Sequence, residues 1–248
     1  MTKASLTVGA CAALLWAGTV LATPTPQQSC DSARITAWKV YLSCVNSALA
    51  KDAKRVSWYT STAFARCRHT YFKKWTKFQS KASLVGSTCI GTRYTDNGDQ
   101  TVTDNLSGLV WEKKDDLGGD HDKDNVYTWS TGAPWAENGT VFTSFLSTVN
   151  GGGGFAGANG WRLPTLAELQ TIVLDFACTG GAECTCPSFP CVDPALDASN
   201  TQASDYWSST TNASNPAYAW DVYFYDGYYD YCYYKNATVF VRAVRGGL

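Results

Sequence analysis

Histidine is almost missing from this chain: there are two, His69 and His121. So few imidazoles exclude a His-rich metal site. Methionine occurs once, at the start. Acidic residues are scarce in one stretch only. Residues 31–81 hold eleven Lys and Arg but only Asp31 and Asp52, a net charge of +9. Residues 82–248 hold eight basic and nineteen acidic residues, a net charge of −11. The overall −1 therefore hides a strong charge dipole. No nucleic-acid motif accompanies the basic stretch. Long apolar runs are also lacking after the first 22 residues, so no later segment is expected to span a membrane.

The first 22 residues read as a signal peptide. Lys3 supplies the positive start, Ala4–Leu21 is uncharged, and Val20-Leu21-Ala22 offers a cleavage site. Ten cysteines fit an exported protein, periplasmic, outer-surface or extracellular. Cys11 leaves with the signal, so nine remain and one is unpaired or intermolecular.

Three segments are expected: the signal (1–22), a basic helical hairpin (23–88) and a larger domain (89–248). Ile35, Trp38, Tyr41, Leu42, Val45 and Leu49 recur at helical spacing, with Asp31 or Ser32 as N-cap. Phe64, Cys67, Tyr71, Trp75 and Phe78 line a second helix, from about Ser57 to Lys81. So small a hairpin buries little apolar area and calls for staples. Cys44–Cys67 with Cys30–Cys89 is one of three possible pairings. Residues 88–248 are expected to fold alone.

From Cys89 onward, short strands alternate with Gly, Asn and Asp turns. Strands are expected at 93–95, 101–103, 109–112, 206–210, 217–225, 228–234 and 239–245. Phe142, Phe145, Leu146 and Val149 mark a short helix. Thr165 and Glu168 form a capping box for a second, with Leu166, Leu169, Ile172, Val173 and Phe176 as its buried stripe. Cys178, Cys184, Cys186 and Cys191 read as staples of a loop.

Five segments together carry a resemblance. They are Arg93-Tyr94-Thr95-Asp96-Asn97-Gly98-Asp99 with Thr101–Asp104, Gly108-Leu109-Val110-Trp111-Glu112, and Gly160-Trp161-Arg162-Leu163-Pro164-Thr165 with Glu168-Leu169. Tyr206-Trp207-Ser208-Ser209-Thr210 and Val241–Gly247 complete the set. As a set, residues from about 90 to 248 resemble the Lcl C-terminal domain family, formerly a domain of unknown function. The resemblance implies an α+β, C-type-lectin-like domain related to formylglycine-generating enzymes. Such a domain has a small antiparallel sheet, two flanking helices, paired first and last strands, and a loop region for ligand. The family includes bacterial adhesin domains that bind sulfated polysaccharides. A net charge of −11 departs from that, since it repels sulfated ligands.

The aromatic C-terminus is the sharpest candidate site. Alternation places Trp220, Val222 and Phe224 inside, and Asp221, Tyr223 and Tyr225 outside. With Asp226, Tyr228, Tyr229, Asp230, Tyr231 and Tyr233 they would form a surface for a glycan or a cell-surface protein. Tyr223 and Tyr225 are expected to share a patch with Tyr229 and Tyr231. Residues 212–236 also have the Tyr, Asn, Asp, Ser and Cys bias of retroelement-diversified lectin folds. Asp120, Asp122 and Asp124 alternate like the start of a Ca2+ loop, but lack its glycine and closing glutamate. No other cofactor is expected. No cysteine stands in a catalytic setting, so the expected function is ligand binding rather than catalysis. The alternatives are an envelope interaction protein, tethered to anionic polymer by the basic hairpin, and a diversified receptor-binding protein. Trp111, Trp161, Trp207 and Arg162 read as framework.

Overall fold

The computed structural model describes residues 25–52, 61–84, 92–174, 186, 188–230 and 233–247. The proposed signal and Cys89, Cys178, Cys184 and Tyr231 lie outside the described residues.

Helix α1 (Pro26–Asp52) and helix α2 (Ser61–Leu84) form the expected hairpin. The start of α1 differs from the sequence expectation. Thr25 Oγ1 accepts from the Gln28 amide at 3.2 Å, and Gln28 Oε1 accepts from the Thr25 amide at 2.9 Å. This capping box, with Pro26 at the first helical position, starts the helix five residues before Asp31. Asp31 instead lies within the helix and pairs with Arg34 at 3.1 Å. The buried seam of α1 is Cys30, Ala37, Trp38, Tyr41, Val45 and Ala48, while Ile35 is exposed. A disulfide joins Cys44 to Cys67, with Cα atoms 5.8 Å apart. Cys30 is also disulfide-bonded.

The remainder is α+β. Strands β1 (Tyr94–Asp96), β2 (Thr101–Asp104) and β3 (Leu109–Glu112) form an antiparallel meander. The last strand, β9 (Val244–Gly246), joins this sheet beside β3, with Trp111 opposite Val244. The expected pairing of first and last strands is thus corrected. The meander has two edges, β1 and β3, and β9 takes the one at β3.

A second sheet has the order β4 (Val126–Thr128), β8 (Thr238–Phe240), β5 (Asp205–Thr211), β6 (Ala219–Tyr223) and β7 (Tyr228–Asp230). Its pairs are antiparallel except β5 with β8. Two helical segments cover the sheets. One is a π turn (Val141–Phe145) running into α3 (Leu146–Val149); the other is α4 (Leu166–Thr171). The Thr165–Glu168 capping box is present in full.

One apolar core runs through the hairpin, the first sheet, α4 and β6, uniting Trp38, Tyr41 and Tyr71 with Leu109, Trp111, Leu166 and Val222. Tyr41 Oη donates to the Ala167 carbonyl at 2.7 Å, and Arg68 donates to Gln170 Oε1 at 2.8 Å. A second core packs Trp129, Phe145, Trp161, Trp207 and Val241 between the five-stranded sheet and the π turn. No helix among the described residues is long and apolar enough to cross a membrane.

Candidate functional site

The C-terminal aromatic surface grows from one strand and one disulfide loop. Strand β6 is internal to its sheet, and residues 219–222 are buried on both faces. Trp220, Val222 and Phe224 are buried as expected, but Asp221 is fully buried as well. Alternation fails at Asp221 because β6 is covered on both sides. The chain emerges at Tyr223, which is half-buried, and turns through Gly227 at φ +79°. The turn closes on Tyr223, whose carbonyl accepts the Gly227 amide at 2.8 Å. Phe224 is its buried anchor; Tyr225, beside it, is exposed.

A ring from another segment completes the surface. The Cys186–Cys191 disulfide closes a tight loop, and the buried Cys191 amide donates to the Phe224 carbonyl. That loop lifts Phe189, 57% exposed, onto Tyr225, 47% exposed, with ring centroids 4.5 Å apart and planes at 19°. Tyr225 in turn stacks on Tyr223 at 5.7 Å. The result is a column of three rings open to solvent, with Asp226 half-buried at the turn. Burial, with the charges of Asp205 and Asp226, raises the Tyr223 pKa, so this phenol stays a neutral donor.

The expected partners on β7 fall differently. Tyr223 is opposite Tyr228, while Tyr229 is opposite buried Val222 and Asp230 is opposite Asp221. Opposite residues share a face, so Tyr228 and not Tyr229 holds the register position beside Tyr223. Strands ending at 225 and restarting at 228 would already set Tyr228 opposite Tyr225. The four-residue turn moves the register by two and keeps that face, so alternation assigns Tyr229 and Tyr231 to the other face in either register. Tyr233 is separate from the column: it is exposed and edge-on to buried Trp207 at 6.4 Å. Sequence reasoning missed Phe189. It lies 36 positions from Tyr225, and only the Cys186–Cys191 spacing hinted at a presented loop.

In the acidic loop, Asp122 and Asp124 cluster with Asp116, their oxygens within 4.8 Å of one another; Asp120 is not a member. These carboxylates already have local partners. Asp122 accepts from the amides of Asp124 (2.8 Å) and Gly118 (2.6 Å), which hold its pKa below the usual range. Asp116 pairs with Lys123, and Asp124 accepts from Gln202.

Beneath this loop lies a buried charge cluster. Glu112 Oε1 meets Lys114 Nζ at 2.9 Å and His121 Nδ1 at 2.7 Å, and Glu112 Oε2 accepts from the Ala243 amide at 2.7 Å. Arg242, fully buried, donates to the Glu112 carbonyl, the Leu196 carbonyl and Thr201 Oγ1. These bonds tie the last segment to β3. Trp111, Trp161 and Trp207 are buried, and Arg162 makes a two-pronged bond to Glu168, both contacts at 2.7 Å. All four are framework. Cys67, beside exposed His69, is held in a disulfide and is not a thiol.

The profile of the Lcl C-terminal domain matches residues 100–245. This chain belongs to the Lcl C-terminal domain family. No curated protein and no solved structure matches it.

Proposed function

We propose that this is an exported, lectin-like or adhesin-like binding protein with a C-type-lectin-like domain, recognising a glycan or a surface protein through its aromatic C-terminal face. The solvent-open column Phe189–Tyr225–Tyr223 carries this reading. Such rings offer large, rigid contact area at low entropy cost, and Asp226 and the phenols add hydrogen-bonding groups. Family membership and the two described disulfides support it.

The test is a glycan and protein array probed with the full mature chain. Tyr225→Ala and Phe189→Ala should each weaken retention by about 2 kcal/mol or more. Their effect on stability should stay within about 0.5 kcal/mol. Full retention by both variants would move the site elsewhere.

A second reading rests on α2. Its 24 residues include no Asp or Glu, and exposed Arg66, Lys73 and Lys77 recur on one face. That face suits an anionic envelope polymer and would tether the module. Retention on anionic polymer alone, lost with added salt, would favour this reading.

A further inference from the structure

A second group of rings lies at the other end of β6. Trp135 stacks on Tyr234 with centroids 6.1 Å apart and planes at 28°, and Tyr234 meets Tyr218 at 4.4 Å. Tyr234 is 52% exposed; the other two rings are half-buried. Tyr218 and Tyr234 are bridged through their backbones, so their spacing is fixed by the fold.

The backbone presents Trp135 unusually. Its φ is +67°, a left-handed conformation that a bulky residue seldom adopts. The surroundings hold it there. The Trp135 amide donates to the Gly132 carbonyl at 2.7 Å. Asn138 Oδ1 accepts from Ser130 Oγ at 3.1 Å and from the Thr131 amide at 2.9 Å. A Cβ on Gly139 would lie 2.2 Å from the Thr128 carbonyl oxygen, so the end of the loop is pressed against β4. An over-determined, unfavourable backbone under an accessible ring is a reason to look for a ligand.

Lys235 sits below, 2% exposed. Its Nζ donates to Thr211 Oγ1 at 2.8 Å and to the Trp135 carbonyl at 3.4 Å, and lies 3.8 Å from the ring centroid of Trp129. Three donors thus meet two oxygens and a ring face. Nothing remains for an anion, and burial disfavours the charge on this amine, lowering its pKa. Lys235 acts as a latch on the loop.

We propose that Trp135, Tyr234 and Tyr218 form a second binding site, for the apolar face of a neutral pyranose, with Lys235 as the residue that positions Trp135. Trp135 and Tyr234 are stacked within 28°, and Tyr218 is tilted by 32° against Tyr234. The two phenols, hydrogen-bonded to each other, keep further lone pairs for sugar hydroxyls at the edge of an apolar patch suited to a sugar's C–H face. The occupied Lys235 and the −11 charge of residues 82–248 argue against an acidic sugar. This deepens the proposed glycan-binding reading and rests on it, but uses a different surface.

The test is saturation-transfer NMR and titration of the full mature chain with free neutral hexose and N-acetylhexosamine oligosaccharides, with sulfated and uronic oligosaccharides alongside. At least one neutral oligosaccharide should receive saturation at its ring C–H protons. Trp135→Ala and Tyr234→Ala should each weaken that binding about tenfold or more. Lys235→Met should weaken it with the melting temperature kept, and Lys235→Arg should restore part of it. Tyr225→Ala should leave this binding unchanged. If Tyr225→Ala abolishes it and Trp135→Ala does not, the first column stands and this site falls. If no oligosaccharide binds, or peptides alone do, both glycan readings fall. Binding of acidic oligosaccharides only would overturn the neutral assignment.

Discussion

Glu112 shows how one residue's charge is set by its neighbours. It is wholly buried, and burial alone would favour its neutral form. Lys114, His121 and the Ala243 amide outweigh that and hold its pKa below the ordinary glutamate value. As pH falls, the unfolded chain therefore takes up this proton before the folded one. The stability Glu112 contributes is complete above about pH 5, past the unfolded glutamate value, and is lost as the pH drops through the folded value. Glu112→Gln should remove this acid-sensitive part. It should also strand Lys114 without its counter-charge, costing about 3 kcal/mol or more at neutral pH. Urea melts of both proteins from neutral to acid pH would show it; parallel curves would mean that Glu112 is not ionised in the fold. Asp221 marks the limit of sequence reading at this scale. Alternation placed Trp220, Val222 and Phe224 correctly, but a sequence does not say whether a strand is internal. Alternation therefore assigns Asp221 to water, whereas the sheet buries it.

Elements were most legible where a local bond defines them. The Thr165–Glu168 capping box was readable because both partners lie within four residues. The Thr25–Gln28 box has the same form but stands next to the proposed signal, where the Pro-rich sequence suggested only a cleavage site. The ring column was half legible: Tyr223 and Tyr225 belong to one stretch, whereas Phe189 arrives through a distant loop. That loop depends on its disulfide. Replacing Cys186 and Cys191 with serine should cost roughly 2 kcal/mol, the low end for a native bridge because the loop is short. Binding at the column should fall further than stability does, since Phe189 is no longer held against Tyr225. Non-reducing peptide mapping should first recover Cys186–Cys191 and Cys44–Cys67 as linked peptides. Recovery of Cys186 as a free thiol would remove the basis for the presented loop.

At the scale of the whole molecule, the charge boundary near residue 82 is plain in the sequence, but the core crosses it. Trp38, Tyr41 and Tyr71 pack in the same cluster as Leu166 and Trp111. Charge texture reports the surface of each part, and a buried seam has none. Residues 88–248 alone would expose that seam and lose the bonds from Tyr41 to Ala167 and from Arg68 to Gln170. The fragment should therefore be molten or insoluble, contrary to the expectation from charge. Near-UV circular dichroism and dye binding against the full chain check this. A cooperative melt with native near-UV signal would restore the hairpin as a separate unit.

The place of β9 bears on timing. Its partner β3 lies more than 130 residues earlier, Trp111 facing Val244. Contacts so far apart in sequence form slowly, because a long loop must close before they contribute. The two helices of the hairpin can pair early through contacts local to them, although their seam is covered only when α4 and the first sheet arrive. The sheet beneath it stays open until the last few residues have been synthesised. A chain that has passed α4 but not yet reached residue 244 thus has its helical segments and a bare β3 edge, the state most open to proteases and to mispairing with a neighbour.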